Sequence, residues 1–340
     1  MNRQEFNKLC AKATLTIPFL ISNNSTSSVS QTSDKFDHRN ERSTMTYRKL
    51  GRTNFMSSRL VFGGGAALVG GRNSRLLDRA FEAGINHFDV GSDIYYKGSE
   101  SSLAPFIKEN SKNIWIASKA PLSSVRIKAE DPVNVEQAKE AAKFWTKLLN
   151  ASLKDLQTEY VDAYYLMAVE NPVLIASEEI YNAFLQAKSA GKVGFFGLST
   201  HKNAKQILEA AIKTNWYDLI MVGITPAGFY DWTTKELEKG TSSLVELQPL
   251  LEKARKTGIG LIGMKAVRFL APMKSAGKGD PSAFDFVYNK NFKTSSLNPY
   301  QRAYVYVLEH GLDVVNADMQ NFKHLEENII AATTSHTFFD

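Results

Sequence analysis

Three residue types that can move a proton between them stand at the ends of two apolar runs. The segment HFDVGSDIYYKGSE closes one run on Asp89 and carries Tyr95 and Tyr96 just beyond it, and WIASKA closes the next on Lys119. An aspartate and a lysine within a few ångströms of each other each favour the other's charged form. A phenol, with an ordinary pKa of about 10, becomes a useful proton donor near neutrality where a nearby cation favours its ionised form. Asp89, Lys119 and one of Tyr95 and Tyr96 therefore read as a proton-transfer unit. Singly each has an ordinary structural role: a strand-end aspartate caps a loop, a lysine is solvated, and paired tyrosines pack on a rim.

Such a unit needs elements that bring two run ends together. From Tyr47 onward, short apolar runs alternate with longer segments of helical spacing, the pattern of parallel β/α units. Eight runs are present: SSRLVFGGG, INHFDVG, NIWIASKA, YVDAYYLMAV, VGFFGLST, YDLIMVGIT, IGLIGMKAV and LDVVNADM. Between them lie amphipathic segments such as NSRLLDRAFEAG, ending on Gly84, and NAKQILEAAIKTN, ending on Asn215, each predicted to be a helix with a left-handed cap. Eight repeats predict an α/β fold of the (β/α)₈ TIM-barrel type, in which function gathers at the C-terminal ends of the strands. The competing architecture is a doubly wound sheet. Its dinucleotide-binding form is disfavoured, because GGGAALVGG after the first run gives no G-x-G-x-x-G between a strand and a helix.

The 340 residues are 43% apolar and 22% charged, enough to bury one large core. The net charge of +6 is spread along the chain, so it suits a phosphate-bearing small ligand and matches no nucleic-acid motif. A single cysteine, Cys10, excludes an intrachain disulfide framework and a cysteine-rich metal site. Residues 1–44 read as a leader-like, disordered segment ahead of a barrel over 45–340. The opening MNRQEFNKLCAKATLTIPFLIS places basic residues before a short apolar stretch, too short to span a membrane. It resembles a twin-arginine leader with Gln4 in place of the second arginine, which leaves a cytoplasmic location and export both open. The stretch that follows is rich in Ser, Asn and Thr and lacks the apolar surface to order itself.

Taken together, YRKLGRTNFMSSRLVFGGG, AGINHFDVGSDIYYKGSE, WIASKA, SLKDLQTEYVDAYYL, GKVGFFGLST and HLEENI, in this order, resemble the aldo-keto reductases from Tyr47 to about Ala332. That resemblance implies NADP(H) as cofactor and a small carbonyl or alcohol substrate. It implies that Asp89 orients Lys119, that Lys119 tunes the tyrosine, and that the tyrosine protonates the carbonyl oxygen while the cofactor delivers hydride. It also implies that Ser199 holds the nicotinamide carboxamide, with His201 and Lys202 on the same loop, and that Glu327 and Asn328 contact adenine. Ser199 reads equally as the N-cap of the following helix. Lys265 and Arg268, after the seventh run, are candidates for a 2′-phosphate and would favour NADP over NAD.

The chain departs from the family at three places. Met167 stands where the family carries a histidine that hydrogen-bonds the substrate carbonyl, and methionine cannot donate that bond. Ile94 stands at the expected tyrosine position, leaving Tyr95 and Tyr96 as alternatives. On the sixth run Ile224 replaces an aromatic residue and Met221 a glutamine, which places Met167 and Ile224 in the substrate pocket. Two readings follow. One is a divergent reductase, the other a non-catalytic NADP(H)-binding or regulatory protein on the same barrel, with another barrel chemistry such as a lyase as the remaining alternative.

Overall fold

The computed structural model describes residues 36–339 apart from 73, 125 and 273–277. Cys10 and the leader-like opening lie outside the described residues. The eight apolar runs form eight parallel strands: β1 (Leu60–Gly63), β2 (His87–Asp89), β3 (Trp115–Ala120), β4 (Val161–Leu166), β5 (Val193–Thr200), β6 (Leu219–Thr225), β7 (Gly260–Met264) and β8 (Val314–Asp318). Each pairs with the next in sequence, and β8 pairs with β1, so the sheet closes into the expected (β/α)₈ barrel.

A helix follows each strand: α1 (Arg75–Glu82), α2 (Ser99–Asn110), α3 (Val135–Asp155), α4 (Glu178–Ser189), α5 (Ala204–Thr214), α6 (Leu244–Lys256), α7 (Pro299–Glu309) and α8 (Phe322–Thr334). Their ends follow local chemistry. Reciprocal capping boxes open α3 (Asn134 with Gln137), α6 (Ser243 with Glu246) and α7 (Asn298 with Gln301), each satisfying two otherwise orphaned N–H groups. The helices α1 and α5 are followed, as expected, by left-handed residues, Gly84 at φ 93° and Asn215 at φ 55°. None of the described helices is long and apolar enough to cross a membrane.

Period-two alternation splits each strand between two cores. Outward side chains pack under the helices. Inward ones, among them Val61, Trp115, Ala117, Ala163, Tyr165, Leu219, Met221, Ile262 and Val314, fill the barrel, with Leu50 and Phe55 plugging it from below. The plug belongs to a hairpin that pairs Tyr47–Lys49 with Met56–Ser58.

The packed unit starts at Phe36, upstream of the Met45 start expected from composition. The backbone of Asp37 pairs with Asn54 and Met56, and Arg39 reaches the Ile114 carbonyl at 2.7 Å and Asp162 at 2.9 Å. A polar stretch can be held by ion pairs and backbone bonds to a neighbour, which composition does not register.

Candidate active site

The strand pairing sets Asp89 beside Ala117, so Asp89 and Lys119 both face inward at the C-terminal mouth of the barrel. Lys119 Nζ donates to Asp89 Oδ2 at 2.5 Å and to the Val90 carbonyl at 2.5 Å. Both side chains are buried, at 3% exposure for Asp89 and 7% for Lys119. A buried pair of this kind tolerates loss of either partner badly, because the remaining charge stays out of water. Asn316 on β8 adds a third group, donating from Nδ2 to the same Asp89 oxygen at 2.6 Å. The sequence carried no signal for it, since Asn316 interrupts an apolar run with no neighbour that explains it. Beside Lys119, in register on β4, lies Tyr165, fully buried, whose pKa is pushed well above the usual phenol value by burial and then by the Asp89 charge. Its hydroxyl stays protonated.

The two tyrosines left open by the sequence occupy different places on the short helix Asp93–Tyr96. Lys119 Nζ stands over the Tyr96 ring, 5.7 Å from its centroid. The ring is seated against Gly65 and Gly91, where an added β-carbon would come within 3.0 and 2.6 Å of the ring. Tyr95 is 57% exposed and stands on the rim, edge-on to Tyr96 at 4.8 Å.

A cleft of about 360 Å³ opens beside these residues, with Tyr95, Leu122, Met167, His201 and Trp232 among its walls. Its rim is tied together by Arg126, which grips the buried carboxylate of Glu170 through two bonds of 2.6 and 3.0 Å and reaches the Thr233 hydroxyl at 2.6 Å. Three loops, after β3, β4 and β6, are thereby joined. Of the two long segments that follow β3 and β7, only the one after β3 supplies cleft residues among those described; the segment after β7 instead packs Leu270 and Phe284 against Ala227 and Ala303. Trp232, Arg126 and Glu170 escaped sequence reasoning. Trp232 lies in the loop of a strand pair, Gly228–Asp231 with Glu236–Leu237, whose apolar pattern was too short to register.

Met167 lies in the cleft wall. Ile224 does not. Residues 219 and 221 face the barrel, so parity turns Ile224 outward, where it is fully buried and pairs in register with Phe229. Met221 lines the barrel interior, its sulfur 3.6 Å from Asn316 Nδ2.

The residues grouped by sequence as cofactor contacts fall into two sets. Ser199 is buried, and its Oγ accepts the Ala168 N–H at 3.0 Å, knitting the β4 loop to β5. It does not cap α5; Asn203 stands there, in a left-handed conformation. His201 lies against the cleft with its Nδ1 buried and without a hydrogen bond. Burial first, then Lys265, Lys119, Arg126 and Lys235, push its pKa well below the usual imidazole value, so the ring is neutral. Lys265 and Arg268 gather on the Trp232 indole, 4.5 and 5.0 Å from the ring centroid, joined by Lys235 at 3.2 Å. The second set, Glu327 and Asn328, is on α8, where Asn328 is buried and Glu327 pairs with Lys323 at 3.9 Å. No cluster of His, Cys, Asp and Glu among the described residues could hold a metal ion. The arrangement can hold a phosphate-bearing ligand by its cations and deliver a proton beside an apolar cleft.

A family model described as the aldo/keto reductase family matches residues 63–337. Among solved structures, the chain is similar to the holo form of an aldo-keto reductase from Bacillus halodurans: 20% identity, 84% of this chain and 90% of that one covered, TM-score 0.61. It is also similar to an aldo/keto reductase from Klebsiella pneumoniae solved in complex with NADP and acetate: 17% identity, 85% and 90% coverage, TM-score 0.58. At these identities the likeness is one of fold. No curated protein matches the chain.

Proposed function

The chain belongs to the aldo/keto reductase family, and from that membership we propose that it is an oxidoreductase transferring hydride between NADP(H) and a carbonyl or alcohol. The observation that carries this reading is the buried Asp89–Lys119 pair with Lys119 Nζ over the Tyr96 ring, next to Tyr95, which lines an apolar cleft. The side chains present suit the cofactor. The hydroxyl proton of Ser199 is not used in the bond from Ala168 and matches a carboxamide oxygen. The cations around Trp232 match phosphate charge, and the buried Asn328 matches adenine. NADP in the K. pneumoniae relative supports the same choice.

When bound, the dinucleotide supplies the hydride. This chain's residues do the rest. Asp89, itself held by Asn316, fixes the Lys119 ammonium against Tyr96. The Tyr96 hydroxyl gives its proton to the carbonyl oxygen as charge develops there, a role worth about 10²–10⁴ in rate for a placed general acid. Tyr95, Leu122, Met167 and Trp232 form the walls that keep water from the reacting carbon.

Met167, which offers no hydrogen bond to a carbonyl, favours a second reading, a non-catalytic NADP(H)-binding or regulatory protein. Titration with NADPH, followed by tryptophan fluorescence, and then NADPH consumption with a panel of aldehydes and quinones separates the two. Binding with carbonyl-dependent consumption is expected. Binding without turnover would favour the second reading, and no binding would contradict both.

A further inference from the structure

Two side chains meet the cleft from just beyond the ends of the neighbouring strands β4 and β5. Leu166 pairs with Leu198, which sets Met167 beside Ser199 at the barrel mouth, and His201 lies two residues past Ser199, just beyond the end of β5. The Ser199 bonds to Ala168 and Val169 lock these two strand ends together. His201 therefore borders the wall in which Met167 replaces the family's imidazole. Its Nδ1 is buried against Gly223 without a hydrogen-bond partner, so a bond to a ligand in the cleft would come from Nε2. The ring meets Trp232 at 6.4 Å between centroids, and its Nδ1 would lie 3.4 Å from a β-carbon added at Gly223.

On the premise of the carbonyl reductase reading, we infer that His201 is the side chain that hydrogen-bonds the substrate carbonyl in this protein, in place of a histidine at position 167. A neutral imidazole carries one N–H donor and one acceptor. The cations that surround His201, namely Lys119, Arg126, Lys235 and Lys265, all disfavour a second proton on it. The donor thus polarises the carbonyl without transferring a proton. In the reaction the C=O π bond breaks, the carbon gains hydride from NADPH, which becomes NADP⁺, and the oxygen gains its proton from Tyr96. Water reprotonates the tyrosine. His201 holds the oxygen through these changes and is unchanged at the end. This assigns His201 to the substrate, where its neighbourhood to Ser199 alone would have assigned it to the cofactor. The apolar and aromatic walls of Tyr95, Leu122, Met167 and Trp232 fit an aromatic aldehyde or ketone.

The test compares wild type, His201→Ala, His201→Gln and the pair Met167→His/His201→Ala. NADPH affinity is measured by tryptophan fluorescence, and kcat and KM by NADPH consumption with para-nitrobenzaldehyde. For His201→Ala, kcat is expected to fall on the order of a hundredfold with NADPH affinity unchanged. His201→Gln, which keeps a donor, should recover part of the rate, as should Met167→His in the His201→Ala background. A purely structural role would not give that rescue. Wild-type turnover by His201→Ala would overturn the inference and leave the reductase reading standing, as would a loss confined to NADPH affinity. A wild-type protein that binds NADPH but reduces no carbonyl would also overturn it. Failure to bind NADPH would remove the reductase reading first and this inference with it.

Discussion

Lys119 and Asp89 form a buried ion pair at the barrel mouth, where the loss of either partner is costly. Lys119→Met leaves Asp89 buried with only the Asn316 amide against its charge. The variant is expected to lose roughly 3 kcal/mol of unfolding free energy in a denaturant titration, together with carbonyl-dependent NADPH consumption. Turnover that survives the substitution would remove Lys119 from the proton-transfer unit. Met167→His in the wild-type background tests the other side of the cleft. With His201 already present, a second donor should change kcat by well under tenfold, whereas in the His201→Ala background its effect should be large. That coupling is what a shared ligand atom produces. At this scale the sequence was legible where a charged residue closed an apolar run, as Asp89 and Lys119 do. It was not legible for Asn316, or for the choice between Tyr95 and Tyr96. That choice depends on how one helical turn faces Gly65 and Gly91, and no spacing rule contains it.

Strand parity and strand neighbours decide what each element delivers. Ile224 was assigned to the pocket by its order along the chain, but the alternation of β6 turns it outward, and the hairpin strand at Gly228–Asp231 covers it. Parity also explains Gly197 on β5. A β-carbon there would stand 2.3 Å from the Tyr165 ring, so Gly197→Ala should cost about 1–3 kcal/mol of stability by overpacking the barrel interior, measured by denaturant titration. Between α2 and β3, Glu100 accepts the Ser118 hydroxyl at 2.5 Å, and burial pushes its carboxyl up to about 7. The unfolded chain releases this proton near pH 4.5, while the folded chain keeps it to about 7. The folded state therefore binds more protons through that window, and this group's contribution to stability falls as pH rises from about 4.5 to 7. Glu100→Gln should be more stable than wild type above pH 7 and should lose that part of the pH dependence. Unfolding free energies at pH 5 and pH 8 for both proteins check the sign. The opposite sign would mean that the carboxylate is ionised and well held in the folded state.

The whole molecule was the most legible scale. All eight apolar runs became barrel strands, because a period of β/α repeats is written many times over and no single residue can obscure it. What the pattern missed lies at the two ends of the barrel, where polar side chains rather than apolar periodicity hold the chain. At the bottom, residues 37–39 tie the hairpin plug to β3 and β4 through Arg39 and Asp162. Arg39→Ala should cost about 2–3 kcal/mol by stranding the buried Asp162 carboxylate. NADPH affinity should be unchanged, since the cleft is at the other end of the barrel; a denaturant titration and a fluorescence titration on the same variant check both parts. At the top, the Arg126–Glu170–Thr233 tie and the Trp232 loop give the cleft its shape from segments that carry no periodic signal.

The decisive measurement compares NADPH-dependent reduction of an aromatic aldehyde by wild type, Tyr96→Phe and Tyr95→Phe at saturating NADPH. Wild type should turn over. Tyr96→Phe should lose at least about a hundredfold in kcat with NADPH affinity intact, and Tyr95→Phe should change mainly KM. Equal kcat for Tyr96→Phe and wild type, or a loss confined to Tyr95→Phe, would contradict a proton path that runs from the Asp89–Lys119 pair through Tyr96.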